Sequence, residues 1–244
     1  MRTIVVAAVL SVVLWQVGAA VAEGGCASGG KDGPCCGVKA CKAAGKPCKM
    51  KAKFADKEGW ICLFNGKNLD GWKPRPDRRG KNCWKAEDGV LVNDLKPGTH
   101  GIDLVTEKKF GDCLLHIEFK VPKKGNSGVY MRGRQEVQVH DSYGQKPAMH
   151  TCGSIYAKKI ASKNVAKKPG EWQCFNITIK GMNITVGHNG EKVIDNFKLR
   201  GVTGGALDAR NVGKPGPLLL QGDHTGVAYR NIWIKPLAST SESR

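Results

Sequence analysis

The chain has 244 residues and carries 39 lysine and arginine residues against 21 aspartate and glutamate residues, a formal net charge of +18. The basic residues are spread along the chain, and no helix-turn-helix, RNA-binding sheet signature or aromatic–basic platform accompanies them. That distribution argues against a nucleic-acid partner and for association with an anionic cell surface or polysaccharide.

The N-terminus has a basic start at Arg2, an apolar run from Ile4 to Val17 that is too short to cross a bilayer comfortably, and Ala20-Val21-Ala22 as a small-x-small cleavage site. These features describe a secretory signal peptide over residues 1–22, with cleavage near Ala22 and export to the periplasm or beyond the cell. Residues 23–57 are poor in large apolar side chains and rich in Gly, Lys, Ala and Cys, the texture of an irregular arm or linker. Ten cysteines fit an oxidising compartment. Five lie in the arm (Cys26, Cys35, Cys36, Cys41, Cys48) and five beyond it (Cys62, Cys83, Cys113, Cys152, Cys174), so full pairing requires at least one bridge between the two sets. The spacing C-x8-CC-x4-C-x6-C contains no histidine and is not a zinc-ribbon pattern, which favours disulfides over a metal there.

From residue 58 to 237 the texture changes to short alternating segments divided by Gly, Asn, Asp and Pro. They are CLLHIEFKV (113–121), SGVYM (127–131), EVQVH (136–140), CFNITIK (174–180), NITVGHNGEKVI (183–194), LLLQ (218–221) and VAYRNIWIK (227–235). Asn189-Gly190 between two such runs predicts a type I′ hairpin turn. No long segment has a helical period, and the pattern predicts one all-β sandwich or jelly roll. Residues 238–244 read as a disordered tail. In 227–235, Arg230 falls on the same alternation as Ala228, Ile232 and Ile234, which requires either an ion pair inside the sandwich or reach into a groove.

The segment NSGVYMRGRQEVQVHDSYG (126–144) places Tyr130, Arg132, Arg134, Glu136, Gln138 and His140 on alternate positions. A hairpin with the loop Gly133-Arg134-Gln135 pairs residue 132 with 136 and 130 with 138, gathering Tyr130, Arg132, Glu136 and Gln138 on one face. An Arg132–Glu136 surface ion pair would contribute little stability, whereas the crowding of tyrosine, amide and imidazole beside it points to a site. Asp141 lies an odd number of residues from Glu136, so the two converge only if a β-bulge near Val139–His140 resets the alternation. The spacing E-x-Q-x-x-D resembles the E-x-D-x-x-E strand of laminarinase-like jelly-roll glycosidases, but Gln138 stands where that family has an acid and Asp141 replaces a glutamate.

Further landmarks are GWICLFNGKNLDGW (59–72), the W-x-x-E-D-G segment from Trp84 to Gly89, TEKKFGDCLLHIEFKVP (106–122), KKPGEWQCFNITIKG (167–181), the HNG turn at 188–190 and GPLLLQGDHTGVAYRNIWIKPL (216–237). Together with the 126–144 segment, their order over 58–237 resembles the 3-keto-disaccharide hydrolase domain of exported bacterial proteins. The resemblance implies a concanavalin A-like β-sandwich and action on glycosides whose sugar is a ketone at C3. In such a sugar the ketone acidifies the C2 proton, an enolate forms, the C1 substituent leaves and water adds back. That chemistry asks for a base near C2, donors at the C3 oxygen and an acid at the leaving oxygen. The residues expected to supply it are Asp141 or His224 as base or acid, with Glu136 orienting the site or binding a sugar hydroxyl or metal, and Arg132 and Arg230 at the developing oxyanion. Asn126, Tyr130, Gln138, His140 and Gln221 are expected to hold the substrate. Glu136, His140, Asp141 and His224 also offer oxygen and nitrogen ligands for a divalent metal, which would stabilise an enolate, although no fixed ligand motif is present. Two other classes compete: a lectin-like module that binds sugar without chemistry, and a conventional glycoside hydrolase.

Overall fold

In the computed structural model, residues 58–238 are described. The expected signal peptide, the Cys-rich arm and all but the first residue of the expected tail lie outside them. Thirteen strands follow in chain order. They are β1 (Ile61–Cys62), β2 (Trp72–Pro74), β3 (Trp84–Glu87), β4 (Val90–Asn93), β5 (Leu104–Phe110), β6 (Cys113–Lys120) and β7 (Asn126–Met131). Then come β8 (Gln135–His140), β9 (Gln173–Lys180), β10 (Asn183–His188), β11 (Glu191–Lys198), β12 (Gly216–Leu220) and β13 (Ala228–Pro236). They form two antiparallel sheets: an eight-stranded one in the order β11-β10-β9-β6-β13-β4-β3 with β1 added beside β13, and a five-stranded one in the order β2-β5-β12-β7-β8. The result is an all-β sandwich of the jelly-roll type.

Alternation decides which face of each strand meets the other sheet. On β6 and β9, Leu115, Ile117, Phe119, Phe175, Ile177 and Ile179 are buried in the core, and the Phe119 and Phe175 rings lie 4.5 Å apart. The five-stranded sheet answers with Val129, Met131, Val137, Val139, Leu218 and Leu220. Odd-numbered positions of β7 and β8 therefore face the core. Their even-numbered neighbours Gly128, Tyr130, Glu136 and Gln138 face outward, beneath the chain at 203–208. Tyr130 joins Val105, Leu219 and Leu207 in a separate apolar cluster on that outer side. Trp72 is buried in the core with Nε1 donating to Leu63 O at 2.6 Å, so it packs rather than stacks on a ligand.

Asn189 and Gly190 both have positive φ and join β10 to β11, the predicted hairpin. On β13 the alternation breaks. Asn231 has φ 49° and the pairing with β6 shifts between Arg230 and Trp233. This bulge turns Tyr229, Ile232 and Ile234 to the core and leaves Arg230 on the opposite face, which corrects the expected grouping of Arg230 with the isoleucines. No disulfide joins any two described cysteines; Cys113 and Cys152 are buried thiols whose pKa burial pushes up to about 12.

Candidate active site

The hairpin β7–β8 carries the centre of the site. Asn126 pairs with His140, Gly128 with Gln138, Tyr130 with Glu136 and Met131 with Gln135. The connecting residues are Arg132, Gly133 and Arg134, one position earlier than the expected loop, with φ 54° at Arg132 and 67° at Gly133. The shift is by a whole residue pair, so the outward face is unchanged and Tyr130, Glu136 and Gln138 still share it. Arg132 is lost from that face because it sits in the turn.

That face opens into a pocket of about 230 Å³. Asn126, Tyr130, Glu136 and Gln138 come from the hairpin, Gln221, Asp223 and His224 from the segment after β12, and Gly204, Gly205, Tyr156 and Arg78 from surrounding loops. Glu136 is 4 % exposed, and burial of its carboxyl pushes its pKa up to about 7. Tyr130 Oη lies 2.8 Å from Glu136 Oε2 and 2.9 Å from Gly204 O. A phenol has one hydrogen to give, so it turns with the proton on Glu136. It donates to the ionised carboxylate, and it donates to Gly204 O when the protonated carboxyl donates to it.

His224 is held differently. Its Nδ1 donates to Asp223 Oδ1 at 2.6 Å, and this bond raises the imidazole pKa above its ordinary value. The same bond holds the Asp223 carboxyl below the usual range, with Arg78 at 3.6 Å adding to the effect. Glu136 and His224 favour each other's charged forms, so a carboxyl titrating near neutrality faces an imidazole biased towards its cation. Two buried amide oxygens, Gln138 Oε1 and Gln221 Oε1, have no hydrogen-bond partner, and both residues line the pocket. Gln138 Nε2 is already committed to Asn126 Oδ1 at 2.6 Å, so the free oxygen is an acceptor awaiting a hydroxyl donor.

Residues 59–235 match the 3-keto-alpha-glucoside-1,2-lyase-like domain. The chain belongs to that family. A 3-keto-disaccharide hydrolase of Bacteroides thetaiotaomicron is 27 % identical over 171 residues, 57 % of this chain and 59 % of the relative, so the chain spans less than two thirds of that protein's length. A candidate glycosyl hydrolase of Parabacteroides distasonis has 31 % identity and a TM-score of 0.60 over 74 % of this chain and 84 % of its own. A second from the same organism has 26 % identity and a TM-score of 0.56 over 73 % and 99 %.

Within this lyase-like domain, several sequence expectations need correcting. No bulge interrupts β8, and Asp141 does not reach the pocket. Its Oδ2 accepts from Lys124 N at 2.8 Å and its own N–H donates to Gly125 O, so it ties down the turn before β7. Arg132 reaches away from the pocket, donating to Gly181 O at 2.8 Å and pairing with Asp112 at 2.7 Å, and so pins the turns after β5 and β9. Arg134 spans to Asp208 O and Lys214 O, anchoring another loop. Arg230 pairs with Glu118 at 2.6 Å and lies 4.0 Å from the Trp172 ring centre, on the outer face of the eight-stranded sheet. His140 ends β8 without lining the pocket. The four suggested metal ligands therefore do not converge, and no group of three or more His, Cys, Asp or Glu side chains able to hold a metal occurs among the described residues.

Arg75, Asp103 and Gly128 complete the site without any motif that marks them in the sequence. Arg75, 2 % exposed, donates to Asp103 at 3.1 Å, to Gly205 O at 2.5 Å and to Ala206 O at 3.0 Å, while its other edge holds Asp77. Asp103 Oδ1 accepts from Gly222 N at 2.9 Å. One buried ion pair thus fixes both the 204–206 wall and the segment leading to His224. Gly128 acts by absence. A Cβ there would lie 2.8 Å from Cγ and 2.9 Å from Cδ of Glu136, whose carboxyl lies across the glycine. Gly128→Ala is expected to displace that carboxyl into the pocket and lower kcat by at least about tenfold, with a loss of about 1–3 kcal/mol in stability from overpacking. Urea unfolding and single-turnover rates on the same variant check both parts.

Proposed function

We propose that this pocket cleaves the glycosidic bond of 3-keto-glycosides or 3-keto-disaccharides by C2 proton abstraction, elimination and water addition, in a protein exported after signal-peptide cleavage. The observation that carries the reading is the Glu136 carboxyl, buried and poised near pH 7 opposite His224, whose bond to Asp223 favours the protonated imidazole. A base is most useful when its pKa lies near the working pH, because it is then both ionised and basic. Glu136 takes the C2 proton, and the C2–H electron pair forms the enolate with the C3 oxygen. Collapse of the enolate expels the C1 substituent, and His224 gives its proton to the leaving oxygen. Water then adds at C1 of the resulting enone and gives up a proton to His224, while C2 takes a proton from the Glu136 carboxyl, whose acidic hydrogen exchanges with solvent before delivery. The unpartnered oxygens of Gln138 and Gln221 accept from ring hydroxyls and fix the sugar in this pose.

An ordinary double-displacement glycosidase uses two carboxylates across the scissile bond. Here the neighbour of Glu136 on the same face is the amide Gln138, and the other carboxylate that lines the pocket, Asp223, is committed to His224 and Arg78. That arrangement favours elimination over direct hydrolysis. The deciding experiment incubates the protein with a 3-keto-glucoside and with its unoxidised parent in deuterated water. Cleavage of the keto compound alone, with deuterium entering at C2, supports the reading. Cleavage of the parent, or binding of either without turnover, overturns it.

The pH dependence follows from the two groups. kcat/KM is expected to rise through about pH 7 as Glu136 loses its proton. It falls as His224 loses its own proton, above the ordinary imidazole range because the bond to Asp223 raises its pKa. Glu136→Gln removes the rising limb and His224→Ala the falling one, which rate profiles of the two variants measure directly.

A further inference from the structure

Beside the pocket, the turn before β7 and the long excursion between β8 and β9 bring together a run of lysines. Lys123 and Lys124 stand exposed on the turn that Asp141 ties down, and Lys167 and Lys168 stand exposed where Gly170 N donates to Val121 O at 2.8 Å. Lys120 lies 5.2 Å from the centre of the Trp172 ring, and Lys168 lies 5.9 Å from that of Tyr143, which is 51 % exposed. Among the described residues, none of these five lysines has a carboxylate within ion-pair distance, unlike Lys85, Lys96, Lys163 and Lys192; what sets the five apart from other unpaired lysines is their clustering around Tyr143 and Trp172. The run therefore holds unneutralised positive charge interleaved with two aromatic rings. Its near end adjoins the pocket: Lys124 and Asp141 flank β7 and β8 at the end where Asn126, which lines the pocket, pairs with His140.

We infer that this lysine–aromatic face is a docking surface for an anionic polysaccharide, a chain bearing carboxylate or sulfate groups, whose end is presented to the pocket. Single ammonium groups on flexible stems suit anions spaced irregularly along a polymer, and the exposed Tyr143 ring offers an apolar face to pyranose C–H surfaces, while Trp172 holds Lys120 and Arg230 in place. Potentials from several unpaired charges add over a screening length of about 8 Å at physiological salt, so the run acts as one patch and not as separate ions. The choice of a glycan over another polyanion rests on the proposed action of the adjoining pocket on sugars. The docking itself does not require turnover.

The test uses the full chain carrying Glu136→Gln, so that binding is read without cleavage. Affinity for polygalacturonate is compared with affinity for dextran, and then with polygalacturonate near 1 M salt, where the screening length is about 3 Å. A triple variant, Lys123→Glu, Lys124→Glu and Lys168→Glu, is set against Lys73→Glu, Lys109→Glu and Lys198→Glu, which make the same charge change on β2, β5 and β11. The expected result is binding to polygalacturonate but not dextran, lost at high salt and weakened by at least about tenfold, or about 1.4 kcal/mol, in the first triple variant only. In the Glu136-containing background the first triple variant should still process a small keto-glucoside at the parent rate. Equal weakening by both triple variants would reduce the effect to net charge and overturn the inference. Duplex DNA competing as well as polygalacturonate at matched charge would overturn it too, by showing a surface indifferent to glycan. A keto-glucoside left uncleaved by the unmutated protein would count against the proposed reaction while leaving the docking measurement intact.

Discussion

Glu136→Gln is expected to abolish turnover of a 3-keto-glucoside by about 10²–10⁴-fold, the usual range for removing a positioned base, while making the folded protein more stable at alkaline pH. The two effects share one cause. Burial raises the folded-state pKa of Glu136 from 4.5 to about 7, so the folded chain binds a proton that the unfolded chain releases. Between those values stability falls as pH rises, and above pH 7 the cost of the buried charge is fully present. A rise of that size corresponds to up to about 3.5 kcal/mol at about 1.4 kcal/mol per pH unit. Gln keeps an oxygen to accept from Tyr130 without the charge. The variant should therefore unfold at a higher temperature than the parent at pH 8 and at the same temperature near pH 4.5, with calorimetry at both pH values as the measurement. A gain of the same size at both pH values would mean the carboxyl is not strained by ionisation and would remove the basis for calling it a poised base.

Arg75→Ala is expected to destabilise the fold by about 3–5 kcal/mol, because deleting one partner of a buried ion pair leaves the other uncompensated. The partner left behind is Asp103, whose pKa is already raised, chiefly by burial, even with the arginine present. The same change frees the Gly205 and Ala206 carbonyls, so both walls of the pocket should loosen together. Arg75→Lys retains the charge but cannot hold Asp77, Asp103 and two carbonyls with one ammonium group, and should fall between parent and Ala in both stability and KM. Chemical unfolding together with steady-state kinetics separates the outcomes. Normal stability with poor kinetics would make Arg75 a ligand contact instead of the staple seen here.

Much of the sandwich was legible because strand alternation is a local property. The runs at 113–121, 136–140 and 174–180 fall on β6, β8 and β9, and Asn189-Gly190 turns as its residue types require. The shared face of Tyr130, Glu136 and Gln138 was legible for the same reason, since a slip of a whole residue pair preserves which face each side chain takes. The loop position was not, because it places a non-glycine residue, Arg132, at positive φ, a choice sustained by distant contacts with Asp112 and Gly181. Asp141 misled because an odd spacing invites a bulge; the actual bulge lies at Asn231, where it moved Arg230 out of the expected set. Arg75, Arg78 and Gly205 belong to loops whose meeting is purely tertiary, and nothing near them in sequence marks it. Asp223 was within reach, as the neighbour of His224 in QGDHTG.

The hairpin β7–β8 closes over a few residues of chain, whereas the walls that cover it arrive from more than sixty residues away, at 203–206 and 221–224. Contacts of such separation cost more loop entropy and form later in folding than a local hairpin. Before they dock, Glu136 is solvated and ionised at pH 6; once they have docked, its preferred state is protonated. Closing the pocket at that pH therefore draws a proton from solvent, whereas burial of His188 beside β9, which pushes its pKa down to about 3, releases one; a pH indicator in a refolding experiment would time the uptake at the pocket separately from the release at the sheets.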